Sequence, residues 1–228
     1  MFSGFSQGTI DFMWNIRFNN NREWFQANKN DYKTFLEKPM NELAQEVYKD
    51  FSLKDDELNL QLHVSRIYRD ARRLYGNGPY KDHLWFTLRD SYEQWTDKPV
   101  FWFELSPESL SYGLGYYRAK PSVMESLRYH IDKAPKQLAK LDLSLRKQTE
   151  FVLEGEDYAR PKCSPNNPLA AWYNKKTFSL IHEEKVSPQI FKGELKGRIV
   201  EGFTFLIPFY RFFILLDQTV TNKGEYDG

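Results

Sequence analysis

The hydrophobic period changes along the chain, and that change limits the folds open to it. Leu58, Leu60, Leu62 and Val64 alternate with Asn59, Gln61 and His63, the two-residue repeat of a strand with one wet face. Leu84, Phe86 and Leu88 alternate with His83, Trp85, Thr87 and Arg89 in the same way. Val100–Ser106 and Leu110–Arg118 follow as two more extended runs, joined through Pro107, Glu108 and Ser109 as a hairpin. Outside this middle region the spacing is helical. Phe12, Met13 and Ile16 share a face, and Met40, Leu43, Ala44, Val47, Tyr48 and Phe51 form a stripe. Met124, Leu127 and Ile131, then Leu138, Leu141 and Leu145, repeat the pattern. Successive strands with short links pair antiparallel. The expected fold is α+β: one domain over residues 1–228, with a mainly antiparallel central sheet of four or five strands and helices from both chain ends packed on it.

Local signals refine the boundaries. Asn19–Asn21 end the first helix, and Asn20 with Glu23 three residues on reads as a capping box. The next helix is expected from Arg22 to about Leu36, with Trp24, Phe25, Tyr32, Phe35 and Leu36 inward. Pro39 suits a first helical position. Gly113 and Gly115, two apart, predict a bulge or a close approach of ligand or backbone. A short strand is expected at Phe178–His182, and a last helical region from Ser187–Pro188 to about Leu215, bent near Pro208.

Composition removes several function classes. A formal charge of +1 over 228 residues gives no global field to gather nucleic acid, so polyanion binding would need a local patch. The single cysteine, Cys163, leaves no intramolecular disulfide and no thiolate metal cluster, which fits a cytoplasmic protein. The most apolar run, Phe203–Leu216, has 14 residues broken by Pro208 and Arg211, short of the roughly 20 a span needs, so it reads as a buried helix. The chain carries no G-x-S-x-G, no phosphate-binding glycine loop and no H-E-x-x-H. His63, His83, His130 and His182 show no metal-ligand spacing. Three neighbouring strands could bring Asp70, His83 and Glu104 together, but such triples arise easily by chance, so no metal is assigned. The sequence names no cofactor.

One run holds most of the remaining chemistry. Ser65–His83 carries four arginines, a lysine, a histidine, two aspartates and three tyrosines in nineteen residues. In an extended segment Ser65, Ile67 and Arg69 face one way and Arg66, Tyr68 and Asp70 the other. Gly76–Tyr80 has turn chemistry, so a hairpin brings Lys81 and His83 back beside the arginines. Guanidinium forks suit carboxylate or phosphate. Arg22, in the first turn of a helix, adds a cation where the dipole also favours anions. The same charges are equally suited to staple a hairpin through Asp70, Asp82 and Glu104.

These stretches also resemble a known family. "NNNREWF", "RIYRDARR" and "GPYKDH" are similar to the N-N-R-E-W-F, R-x-Y-R-D-x-R and P-Y-K-x-H motifs of a widespread family of uncharacterised microbial proteins with a domain of unknown function. The matching positions are Asn20, Asn21, Arg22, Glu23, Trp24, Phe25, Arg66, Tyr68, Arg69, Asp70, Arg72, Pro79, Tyr80, Lys81 and His83. Where that family often has Phe-Ser-x-Asp-Lys, this chain has Arg73, Leu74, Tyr75, Gly76 and Asn77. The resemblance implies a single compact cytosolic domain and passes on no activity.

The functional expectation is therefore a small anionic ligand at a basic and aromatic site on the 65–83 hairpin, with or without chemistry on it. Its candidate residues are Arg22, Arg66, Arg69, Asp70, Arg72, Tyr80, Lys81 and His83, with His83 as acid or base if there is a reaction. Two alternatives stand beside it. One is a nucleic-acid or protein interaction strip using the same residues, and the other a structural role with the arginines as internal staples.

Overall fold

The computed structural model describes residues 1–70, 72, 74, 78–90 and 95–224. Its helices in chain order are α1 (Gln7–Phe18), α2 (Arg22–Ala27), α3 (Lys29–Asp31), α4 (Lys38–Ser52), α5 (Pro121–Lys133), α6 (Pro135–Arg146), α7 (Ala170–Tyr173) and α8 (Leu195–Gly224). The strands are β1 (Gln61–Val64), β2 (Leu84–Arg89), β3 (Pro99–Leu105), β4 (Ser109–Tyr116), β5 (Val152–Glu154) and β6 (Ser179–Lys185). Among the described residues they form one antiparallel sheet in the order β1-β2-β3-β4-β6-β5. The α+β class is as expected, but six strands replace four or five. The extra one is β5, three residues paired with β6 through Val152↔Ile181 and Glu154↔Ser179. Helices are also not confined to the chain ends, since α5, α6 and α7 are inserted between β4 and β6.

The chain contacts gather into two compact units. The first comprises Met1–Leu88, Trp102–Tyr112 and Glu183–Glu201. Its core takes Ile10, Phe12, Met13 and Ile16 from α1 and Met40, Leu43, Ala44, Val47 and Phe51 from α4. Phe2, Phe5, Phe103 and Phe86 form a chain of rings with centroids 5.3, 6.4 and 5.3 Å apart. The helix expected from Arg22 to Leu36 is interrupted. Tyr32–Glu37 form a π-helical turn that runs directly into α4. The wider turn keeps Tyr32 and Leu36 buried but leaves Phe35 at 36 % exposure. Pro39 accordingly sits inside a continuous helical run rather than opening one.

The second unit comprises Arg89–Phe101, Gly113–His182 and Gly202–Gly228. Phe178 packs edge-on against Phe213 at 4.8 Å and against Trp172 at 5.8 Å. Two polar groups in this core find partners, as burial requires. The Tyr116 hydroxyl donates to Phe213 O at 3.0 Å, and Trp172 Nε1 donates to Asp142 Oδ1 at 2.8 Å. Gly115 marks a close approach of backbone, one of the two readings its spacing offered. A Cβ there would stand 2.6 Å from Ser179 Cβ and 2.8 Å from Ser179 Cα.

α8 shows why counting an uninterrupted apolar run understates a helix. Leu195–Asp217, 23 residues whose most apolar 18-residue window has a mean hydropathy of 1.7, is long and apolar enough to cross a membrane, yet 61 % of that window is buried inside the fold. Phe203 and Tyr210 each pack 5.2 Å from Phe101. Pro208 lies on its exposed side, where a missing N–H is least costly.

Candidate functional site

The crowded stretch forms the expected hairpin near its open end. Ser65 N donates to Trp85 O at 2.8 Å, Lys81 N to Ile67 O at 2.7 Å and Arg69 N to Pro79 O at 2.8 Å, with Tyr68 bridged to Tyr80. Ser65 and Ile67 are buried while Arg66, Tyr68 and Asp70 are exposed, as strand alternation requires. Arg73, Tyr75, Gly76 and Asn77, including the turn glycine and the departure from the family pattern, lie outside the described residues.

The "NNNREWF" motif docks on this hairpin. Asn21, not Asn20, caps α2: Trp24 N donates to Asn21 Oδ1 at 2.9 Å. Glu23 is exposed, and the capping box expected between Asn20 and Glu23 does not form. This frees the Asn20 amide for the Tyr80 backbone, where it accepts from Tyr80 N at 3.0 Å and donates to Tyr80 O at 2.9 Å. The amide imitates a strand residue. Gly78 permits it, because a Cβ there would lie 2.2 Å from Asn20 Oδ1. Phe25 then stacks on Tyr80 at 4.2 Å, with Tyr68 edge-on at 5.8 Å and Tyr32 tilted at 5.5 Å. Tyr80 is left 3 % exposed, a packing residue whose phenol burial pushes upward in pKa.

The charged candidates divide into two groups. Arg72 clasps Asp70 through Nε at 3.1 Å and Nη2 at 2.9 Å, two residues apart and out in solvent. Arg69 donates Nε to Tyr80 O at 2.8 Å and lies 3.7 Å from Asp82 through Nη2. Asp82 also receives His83 Nδ1 at 3.0 Å and Arg17 Nε at 2.5 Å. Burial opposes the charge on Asp82, but the hydrogen bonds from His83 and Arg17 outweigh it and hold the carboxyl below its ordinary range. Arg17, in the last turn of α1, reaches Glu108 with both terminal nitrogens as well. The sequence reading did not include Arg17. Asp70, Arg69, Arg72 and His83 thus have internal partners, and Asp70, His83 and Glu104 do not assemble. Among the described residues no group of three or more His, Cys, Asp or Glu could hold a metal ion.

Lys81 and Arg66 behave differently. Neither makes an ion pair or a side-chain hydrogen bond among the described residues. Lys81 is half-buried, with Nζ 5.5 Å from the Trp85 ring, which His63 flanks at 5.4 Å. Burial lowers its pKa to about 8; the Arg69 guanidinium presses in the same direction, Glu104 resists, and Arg66 adds to the depression. Arg22 stands exposed in the first turn of α2.

Comparison with protein families matches residues 8–212 to a conserved hypothetical protein family, DUF2461. The chain belongs to this family. Its span holds both units' helices and strands up to α8, and every candidate residue above. A comparison with curated proteins finds no match. In the second unit, separate from the hairpin, an open depression of about 520 Å³ is lined by Tyr158, Pro161, Cys163, Pro165 and Asn174 among others. Cys163 Sγ there lies 4.0 Å from Asn174 Oδ1.

Proposed function

We propose that the protein binds a small anion, a carboxylate or a phosphate, at the hairpin around Lys81 and Arg66. One observation carries this reading. Lys81 keeps a half-buried ammonium 5.5 Å from the Trp85 ring, within the electrostatic reach of Arg69 and Arg66, with no carboxylate paired to it among the described residues. Burying an unpaired charge beside like charges is unfavourable, and such arrangements concentrate at functional sites. An anion between Lys81 and Arg66 would relieve both penalties. Arg69 serves as the scaffold of this site, since its Nε is committed to the Tyr80 carbonyl. Arg72, Asp70 and His83 are assigned to stapling, because Arg72 is held by Asp70 and His83 by Asp82.

The test is thermal unfolding in phosphate and in small carboxylates, at constant ionic strength made up with chloride. A bound anion raises the parent's Tm, and Arg66→Gln and Lys81→Met lose that rise while still folding. Affinity falls as pH rises through about 8, where Lys81 gives up its charge. If both variants keep the parent's anion-dependent rise, the site is elsewhere and the reading fails.

A further inference from the structure

We propose that the open depression of the second unit binds a small carboxylate with an apolar body, such as an aryl or branched aliphatic acid. This does not rest on the anion reading of the hairpin. The hollow is built by its own loop chemistry. Pro161 and Pro165 fix their own backbone φ, and the loop that carries them is tied to the end of α7 by Asn174. Lys162 N donates to Asn174 Oδ1 at 2.7 Å, and Tyr158 N donates to Asn174 O at 2.9 Å. α7 buries its Trp172 completely and leaves the small side chains of Ala170 and Ala171 on the wall. With Leu153, Pro161 and Pro165 they give an apolar lining around about 520 Å³, inside the roughly 300–1,000 Å³ of small-molecule sites.

The charge around this hollow is unbalanced in one direction. Lys175 Nζ is held by Asp157 Oδ1 at 3.1 Å, and Lys176 pairs with Glu156, so those two cations are neutralised. Arg128 and Lys162 have no carboxylate partner among the described residues. Both lie over the ring of Tyr158, at 5.1 and 4.7 Å from its centroid, and Tyr158 lines the depression. Arg128 donates Nε to Tyr173 O at 3.2 Å and Nη2 to Lys175 O at 3.0 Å, which fixes its position on either side of Asn174 without cancelling its charge. Lys162 is exposed, so its flexible stem can carry Nζ from the ring to an occupant. Asn174 adds a directed donor. Its Oδ1 is taken by the Lys162 N–H, which sets the amide's orientation, and its Nδ2 makes no hydrogen bond among the described residues. A carboxylate accepts from both an ammonium and an amide N–H, and the lining stabilises a hydrocarbon body withdrawn from water. A neutral apolar molecule would leave the two cations unanswered, and a bare inorganic anion would leave the lining wet.

Cys163 is the only cysteine of the chain and stands on the wall of the depression, so its alkylation reports occupancy at one place. The protein is treated with iodoacetamide, an uncharged reagent, in increasing phenylacetate at constant ionic strength, and the alkylated fraction is read by intact mass. Phenylacetate should slow the reaction to saturation. Acetate has the charge without the body, and phenylacetamide the body without the charge. Each should need at least about tenfold more for the same protection. Lys162→Met should raise the phenylacetate required by about tenfold, the loss of one charge-assisted hydrogen bond. Ala171→Leu, which fills the hollow with an isobutyl group, should abolish protection, each variant being compared with its own unprotected rate. Both positions are exposed, so both variants should keep the parent's Tm. No protection by phenylacetate overturns the site, as does protection that acetate or phenylacetamide matches. Protection that survives Ala171→Leu in a folded variant puts the ligand elsewhere and overturns it too. Protection that Ala171→Leu removes but Lys162→Met leaves unchanged overturns the assignment of a carboxylate held by Lys162.

Discussion

Replacing Lys81 with methionine should make the protein more stable while removing its anion response. Methionine keeps the unbranched stem and packs well against an indole, but carries no charge to desolvate. The drop from 10.5 to about 8 corresponds to about 3 kcal/mol at about 1.4 kcal/mol per tenfold. Solvent screening of a half-buried group reduces that to ~1–2 kcal/mol, and losing the Trp85 cation contact takes back ~0.5 kcal/mol. The net expectation at pH 7 is a gain of about 1 kcal/mol for the variant. Its pH dependence has a definite sign. Because folding lowers this lysine's pKa, the unfolded chain holds more protons between about 8 and 10.5, so the parent gains stability as pH rises through that window. The variant lacks this gain. Urea denaturation of both proteins at pH 7 and pH 10 measures the difference, and other titrating groups cancel in the comparison. A variant less stable than the parent at pH 7, or a difference that does not narrow by pH 10, would refute the argument that Lys81 is a destabilising, functionally held charge.

Asn20→Ala removes both hydrogen bonds to the Tyr80 backbone and should lower stability by ~2 kcal/mol in urea melts; an unchanged midpoint would mean water replaces the amide. Asp82→Asn should destabilise at pH 6 by about 1–3 kcal/mol. Since the Asp82 carboxyl is held below its ordinary value, its contribution is full above about pH 4 and is lost as pH falls through the folded value. The gap between parent and variant should therefore close in acid, which denaturation from pH 6 to pH 2 would show. Gly115→Ala pushes a methyl to 2.6 Å from Ser179 Cβ and should cost about 1–3 kcal/mol, read as a fall in Tm with the anion response of the hairpin unchanged.

How much was legible depended on whether the deciding partner was near in sequence. The alternation of Leu84, Phe86 and Leu88 with Trp85 reports a period that the chain carries by itself, and β2 follows it. β5 has three residues and an exposed-to-intermediate pattern, too short to show a period. Tyr32 and Leu36 stand four apart and suit an α-helix as well as the π turn that forms, so spacing could not tell the two. Asn20 and Glu23 satisfy a local capping pattern, but the partner that claims the Asn20 amide is Tyr80. Arg17 carries no local signal beyond its place near a helix end, and its partners Asp82 and Glu108 arrive from distant segments. The charge density of Ser65–His83 was plain. Which cations would be consumed internally was not, because that depends on side-chain reach across the hairpin.

The first unit is assembled from three separate stretches of chain, and its last piece, Glu183–Glu201, is made long after Met1–Leu88. On a ribosome, about 90 residues must follow Tyr112 before that piece exists, which takes roughly 5–20 s at ordinary elongation rates. For that interval Glu46 and Asp50 of α4 lack their ion-pair partner Lys196, and Leu195, Ile199 and Val200 of α8, all buried in the finished fold, do not yet exist. Nascent chains therefore wait with an incomplete core, and chaperone demand during synthesis should exceed that of a protein of equal size whose units are contiguous. Each unit is discontinuous in sequence, so no single stretch of chain carries either one whole.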